Sequence, residues 1–149
     1  MLMKGKYFED LKIGEHFETP GRTVTEADIV NFAGISGDYN PLHIDEEFAK
    51  KTRFGARIAH GVLTLSIMTG LWARLGILEG TVEAFYGIER LRFTKPVYSG
   101  ETLHVKMKVV DNEEKGQSGI VVLENTVLNQ KSETVMVCTT NLLVKKRPK

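Results

Sequence analysis

Asp38, Asn40 and His43 fall within six residues of one another, in the stretch Ser36-Gly37-Asp38-Tyr39-Asn40-Pro41-Leu42-His43. An acid, an amide and an imidazole at this spacing suit general acid–base chemistry near neutral pH, with Asp38 and His43 converging on one water molecule. Pro41 lacks an N–H and holds Asn40 extended, and Gly37 permits a turn, so a loop outside regular helix is expected. The same residues also describe a plain turn with an Asx-type hydrogen bond and a surface histidine. Residue types alone leave both readings open.

The elements that would position this stretch lie on either side of it. Thr25-Glu26-Ala27-Asp28 has the form of a capping box, and Ile29, Val30, Phe32 and Ala33 follow at helical spacing, so a helix is expected to end at Gly34 or Gly37. Asp28 and Asp45 are explained as helix caps, Asp45 opening a short helix over 46–51. Residues 52–58 read as a loop whose Arg53 and Arg57 are solvated charges or phosphate contacts. Then comes Ala59-His60-Gly61 and an apolar helix to Leu75, hydrophobic on almost every side and therefore expected to be buried on most faces. Its first N–H groups lack intrahelical partners and suit an anion or a developing oxyanion, and Gly61 carries no side chain to keep a ligand away. A simple turn into the helix explains Gly61 equally well, and a helix-entry or packing role explains His60.

An interrupted strand is expected over 7–24, and His16 there is read as exposed. From residue 82 the chain reads as strands: Val82 to Phe93, Thr102 to Val109 in strict alternation, Ile120 to Leu128, and Thr134 to Val144. Turns at Gly116–Gly119 and 129–132 make these neighbours antiparallel. His104 falls on the polar phase. A mostly antiparallel sheet after one buried helix is satisfied most simply by curling the sheet around the helix, and the exposed sheet surface and edges then favour a homodimer.

Length and composition fit one domain over residues 1–149: 42% hydrophobic, 26% charged, net charge +1. That charge gives no case for nucleic acid or an anionic membrane. Cys138 stands alone in an apolar run, which reads as a buried strand position. No apolar run reaches membrane-spanning length, and Met1-Leu2-Met3-Lys4-Gly5-Lys6 has no apolar segment behind its lysines, so a cytoplasmic protein is expected. Glycine-rich nucleotide loops, His-Glu-x-x-His and Gly-x-Ser-x-Gly are absent, and no metal spacing is present, so no metal is expected.

Ser36-Gly37-Asp38-x-Asn40-Pro41-Leu42-His43, followed by Ala59-His60-Gly61 and by Phe93-x-Lys95-Pro96-Val97-x-x-Gly100-Glu101, resembles the MaoC-like dehydratases and (R)-specific enoyl-CoA hydratases. The resemblance runs from about Tyr7 to Val144. It implies an α+β hot-dog fold, an antiparallel sheet wrapped around a long central helix, in homodimers. It implies reversible addition of water to a trans-2-enoyl thioester of CoA or acyl carrier protein, giving the (R)-3-hydroxyacyl thioester without a cofactor. Asp38 and His43 would activate the water, Asn40 would position the pair or the water, and the Gly61 N–H would stabilise the thioester oxygen. Tyr39, His60 and Thr69 would contact the substrate; Thr69 aligns where family members often carry serine. The rivals are a hot-dog thioesterase and a non-catalytic acyl-thioester-binding module.

Overall fold

The computed structural model describes residues 5–149. Met1-Leu2-Met3-Lys4, considered as a leader segment, lies outside them. Among the described residues no helix is long and apolar enough to cross a membrane.

A 3-10 turn, Phe8–Asp10, leads into two short strands, β1 (His16–Glu18) and β2 (Arg22–Thr23). Helix α1 (Glu26–Ser36) is capped as its sequence predicts. The Thr25 side chain accepts from the Asp28 N–H, the Asp28 carboxylate accepts from the Thr25 N–H, and Gly37 closes the helix at φ 77°. Two short helices follow, α2 (Pro41–Ile44) and α3 (Glu46–Ala49), then the central helix α4 (Gly61–Arg74). The last four elements are long strands: β3 (Val82–Phe93), β4 (Thr102–Lys115), β5 (Ser118–Leu128) and β6 (Thr134–Lys145).

Two expectations need correction. The stretch around Asn40 is not wholly loop, because Pro41 opens the turn of helix α2. Proline suits a first helical position, where its missing N–H would be unpaired anyway and its fixed φ is already helical. Helix α4 is also not buried all round. Leu63, Thr64, Ile67, Met68, Leu71 and Trp72 are buried, but Val62, Ser66, Gly70 and Ala73 form an exposed stripe of mainly small residues.

The strands run in the order β1-β4-β5-β6-β3, with β2 also on β4, every pairing antiparallel. Period-two burial carries the packing: Leu103, Val105, Met107 and Val109 of β4, and Val121, Leu123 and Val127 of β5, join Leu63, Ile67, Met68, Leu71 and Trp72 of α4 in one core. Burial of a side chain such as Leu71 contributes about 1.5–3 kcal/mol. Within this core Asn125 is fully satisfied. It accepts from the Trp72 indole N–H at 3.1 Å and donates to the Leu123 carbonyl and the Thr140 hydroxyl. Cys138 is buried as expected, its Sγ 3.7 Å from Met68 Sδ, and burial pushes its thiol up to about 11 despite the Asn125 hydrogen bond. His16 is exposed, while His104 is half-buried, 3.4 Å from Glu18 on β1.

Candidate active site

Helices α1, α2 and α4 bring the chemistry together, each through its end. Beyond the C-terminus of α1, Ser36 Oγ donates to the Phe32 carbonyl and accepts from the Asp38 N–H, at 2.7 and 3.1 Å. The Asp38 carboxylate folds forward to accept from the Asn40 N–H at 3.2 Å, an Asx turn. The Asn40 side chain in turn accepts from the Leu42 N–H at 3.0 Å, capping α2. Asn40 therefore acts on His43 through the helix that carries it.

His43 is 9% exposed, and its Nδ1 lies 2.7 Å from the Ile58 carbonyl. A carbonyl only accepts, so Nδ1 carries the hydrogen, and in the neutral ring the lone pair sits on Nε2. His60, the residue before α4, is 3% exposed. Its Nε2 lies 3.0 Å from the Asp38 backbone oxygen and must donate. The two imidazoles stack with centroids 3.8 Å apart and planes inclined by 27°. A carboxylate oxygen of Asp38 and one ring nitrogen of each histidine all lie within 4.8 Å of one another.

Three such donors are the set a divalent cation would use. The stacking works against that use, because in-plane lone pairs on two near-parallel rings stacked 3.8 Å apart lie in two offset planes and do not readily meet at one point. The arrangement suits proton transfer: an exposed carboxylate beside an imidazole whose second nitrogen is tied to the backbone.

The Gly61 N–H opens α4 and has no intrahelical acceptor. Gly61 and Thr64 line a cavity of about 260 Å³ with Ala59, Phe93, Val97 and Arg53 among its walls. The missing side chain of Gly61 has a definite neighbour: a Cβ there would stand 2.9 Å from the Phe93 ring. Thr64 escaped the sequence reading, and Phe93 entered it only within the motif at the end of β3, with no site role. Thr64 lies three residues beyond Gly61 on the same helix face, a spacing that could have drawn attention to it. Phe93 comes from the far end of β3.

The remaining candidates have contacts of their own. Tyr39 is 57% exposed, its hydroxyl 3.6 Å from where a Cβ on Gly34 would sit. Thr69 lies eight residues beyond Gly61 in α4, about 12 Å along the axis. It bonds its own helix at the Ser66 carbonyl and lines a different cavity, with Trp72 and Phe85. Arg57 is engaged by Glu26 of α1 and Glu46 of α3, whose hydrogen bonds raise its pKa further. Lys95 pairs with Glu133.

Comparison with known proteins finds relatives over most of the chain. The MaoC like domain matches residues 9–131. Protein MaoC of Klebsiella aerogenes is 45% identical over 102 residues, which are 68% of this chain but only 30% of that relative. The (R)-specific enoyl-CoA hydratase of Rhodospirillum rubrum is 38% identical over 103 residues, 69% of each. Among solved structures, the monoamine oxidase regulatory protein from Archaeoglobus fulgius superposes with a TM-score of 0.91 at 42% identity, over 99% of each chain. RV0216 of Mycobacterium tuberculosis, a double hot-dog fold, superposes with a TM-score of 0.84 at 23% identity, over 97% of this chain and 45% of that one, which shows the shared fold. The chain thus carries a hot-dog fold and belongs to the MaoC-like dehydratase family.

Proposed function

We propose that the protein adds water reversibly to a trans-2-enoyl thioester of CoA or acyl carrier protein, giving the (R)-3-hydroxyacyl thioester. The observation that carries this reading is the open Nε2 of His43, left free by the Nδ1–Ile58 hydrogen bond and set beside the Asp38 carboxylate. The pair holds the water. Its oxygen attacks the β-carbon while a proton passes through the pair to the α-carbon, so the elements of water are added and nothing is oxidised. No redox cofactor takes part. The Gly61 N–H donates to the thioester oxygen as charge builds in the enolate, a role worth about 3 kcal/mol in the barrier. The (R) assignment is supported by the family's (R)-specific hydratases.

The same reading takes residues 1–149 as one domain in the cytoplasm, acting as a homodimer. Among the described residues strand β3 ends the sheet, pairs only with β6, and exposes Val82, Phe85, Tyr86 and Phe93. An unpaired apolar edge of this length is a template for a second copy.

The test is one assay with two readouts on short and medium trans-2-enoyl-CoA: loss of the conjugated enoyl absorbance and release of free thiol. Enoyl loss without thiol, with (R) product by chiral analysis, is the expected result. Asp38→Asn and His43→Ala should each lower turnover by roughly 10²–10⁴-fold. Thiol release would replace the hydratase by a thioesterase. Tight binding of saturated acyl-CoA without turnover would replace it by a binding module.

A further inference from the structure

We infer that His60 is a positioning residue whose imidazole locks Asp38 and His43 to the first turn of α4, so that acid–base pair and backbone donor move as one unit. The inference rests on the hydration reading and assigns one of its parts. At 3% exposure His60 offers almost no surface to a ligand. Its ring is instead held on three sides: Nε2 donates to the Asp38 carbonyl at 3.0 Å, one face stacks on His43 at 3.8 Å, and Phe32 packs against it edge-on at 4.9 Å.

The polarity of this ring is what needs explaining. With hydrogen on Nε2, the Nδ1 lone pair is buried and has no hydrogen-bond partner. A phenyl ring would fill the same slot between Phe32 and His43 and leave no orphaned atom. What the imidazole supplies and phenylalanine cannot is the Nε2–H that grips the Asp38 backbone. The backbone around His60 is anchored equally firmly. The Ala59 N–H donates to the Val97 carbonyl at 2.7 Å, and the His60 carbonyl accepts from the Thr64 N–H at 3.2 Å in the first turn of α4. One residue thus joins the helix that presents the Gly61 N–H to the loop that presents Asp38, with His43 pressed against it. Freeing the side chain lets the two halves of the site drift relative to one another.

Two variants separate the ring from the donor. His60→Phe keeps an aromatic face for His43 and loses the N–H. His60→Gln loses the ring but carries an amide N–H at about the reach of Nε2. His60→Phe is expected to lower kcat by about 10²-fold with KM within about threefold, and His60→Gln to recover most of that loss. In a His43→Ala background, adding His60→Phe should cost less than about threefold, because the residue acts through its partners. Wild-type kcat in His60→Phe, or an undiminished penalty in the His43→Ala background, would overturn the inference. Long-range proton–nitrogen spectra of the imidazoles in the wild-type protein test the same clamp without turnover. They should show hydrogen on Nε2 of His60 and on Nδ1 of His43, and hydrogen on Nδ1 of His60 instead would also overturn it. A wild-type protein that hydrates no enoyl thioester would defeat the functional reading, while the spectra would still decide the clamp.

Discussion

At Gly61 the absence of a side chain makes room for a neighbouring ring. Any Cβ there would meet the Phe93 ring at 2.9 Å, so Gly61→Ala must push aside an aromatic side chain that is 48% exposed. The backbone N–H that would meet the thioester oxygen survives the substitution. Gly61→Ala is therefore expected to destabilise by about 1–3 kcal/mol through overpacking. The double variant with Phe93→Ala should return close to the stability of Phe93→Ala alone, as read by urea unfolding; a fully additive penalty would mean that another contact is responsible. At this scale Asp38, Asn40 and His43 were legible because they are neighbours in sequence. The partners of His60 were not. Its place at the helix entrance suggested a helix-entry or packing residue and the family resemblance a substrate contact, whereas the Asp38 carbonyl and the His43 face lie 22 and 17 residues back along the chain. Only the fold brings them together.

Among the elements, the ends of helices do most of the positioning. Helix α1 carries a complete capping box, and its Asp28 titrates differently in the folded protein. Burial raises the Asp28 pKa, but hydrogen bonds from the Thr25 N–H and hydroxyl, together with the Arg22 guanidinium, outweigh it and hold the carboxyl below the usual range. A folded-state pKa below the unfolded value of about 3.9 contributes stability that is present above it and lost as pH falls through the folded value. Thr25→Ala should cost about 1 kcal/mol near neutral pH. Asp28→Asn should flatten the acid limb of the stability curve below about pH 4, and unfolding curves at several pH values would show it. An unchanged acid limb would exclude this carboxyl as a source of acid sensitivity. This cap was readable in advance because it is local, four residues long and chemically specific. Helix α2 was hidden by the double meaning of its proline. Pro41 disfavours helix in the residues before it and equally well opens a helix after it, and the Asn40 cap that decides between them is visible only with the Leu42 N–H in place. The brace from Arg57 to Glu26 and Glu46 spans two elements and left no trace in the sequence pattern.

Across the whole molecule, the order β1-β4-β5-β6-β3 leaves β3 as a long terminal strand with apolar side chains in the open. Beside it the exposed stripe of α4 flanks a groove of about 410 Å³ lined by Thr69, Trp72, Ala73 and Phe85. Sedimentation is expected to show two copies in solution, and Phe85→Lys to shift the protein toward the monomer; a wild-type monomer at high concentration would remove the second copy from the reading. The existence of all four long strands was legible from extended runs between turns, and Val82–Phe93 even to its ends, but β4 runs six residues past the expected Val109. Beyond that residue the alternation gives way to Asp111, Glu113 and Glu114, where pairing with β5 sustains the strand without a buried face. The anchoring of the loop before α4 bears on how the protein is made. Ala59 hangs from Val97, and Ile58 bridges to Tyr98, whose hydroxyl reaches back to Phe54. A ribosome delivers Asp38, His43 and His60 well before any of these tethers, and before most of the sheet exists. The loop that carries His60 into α4 therefore gains its fixed position only once synthesis has passed Val97 and Tyr98.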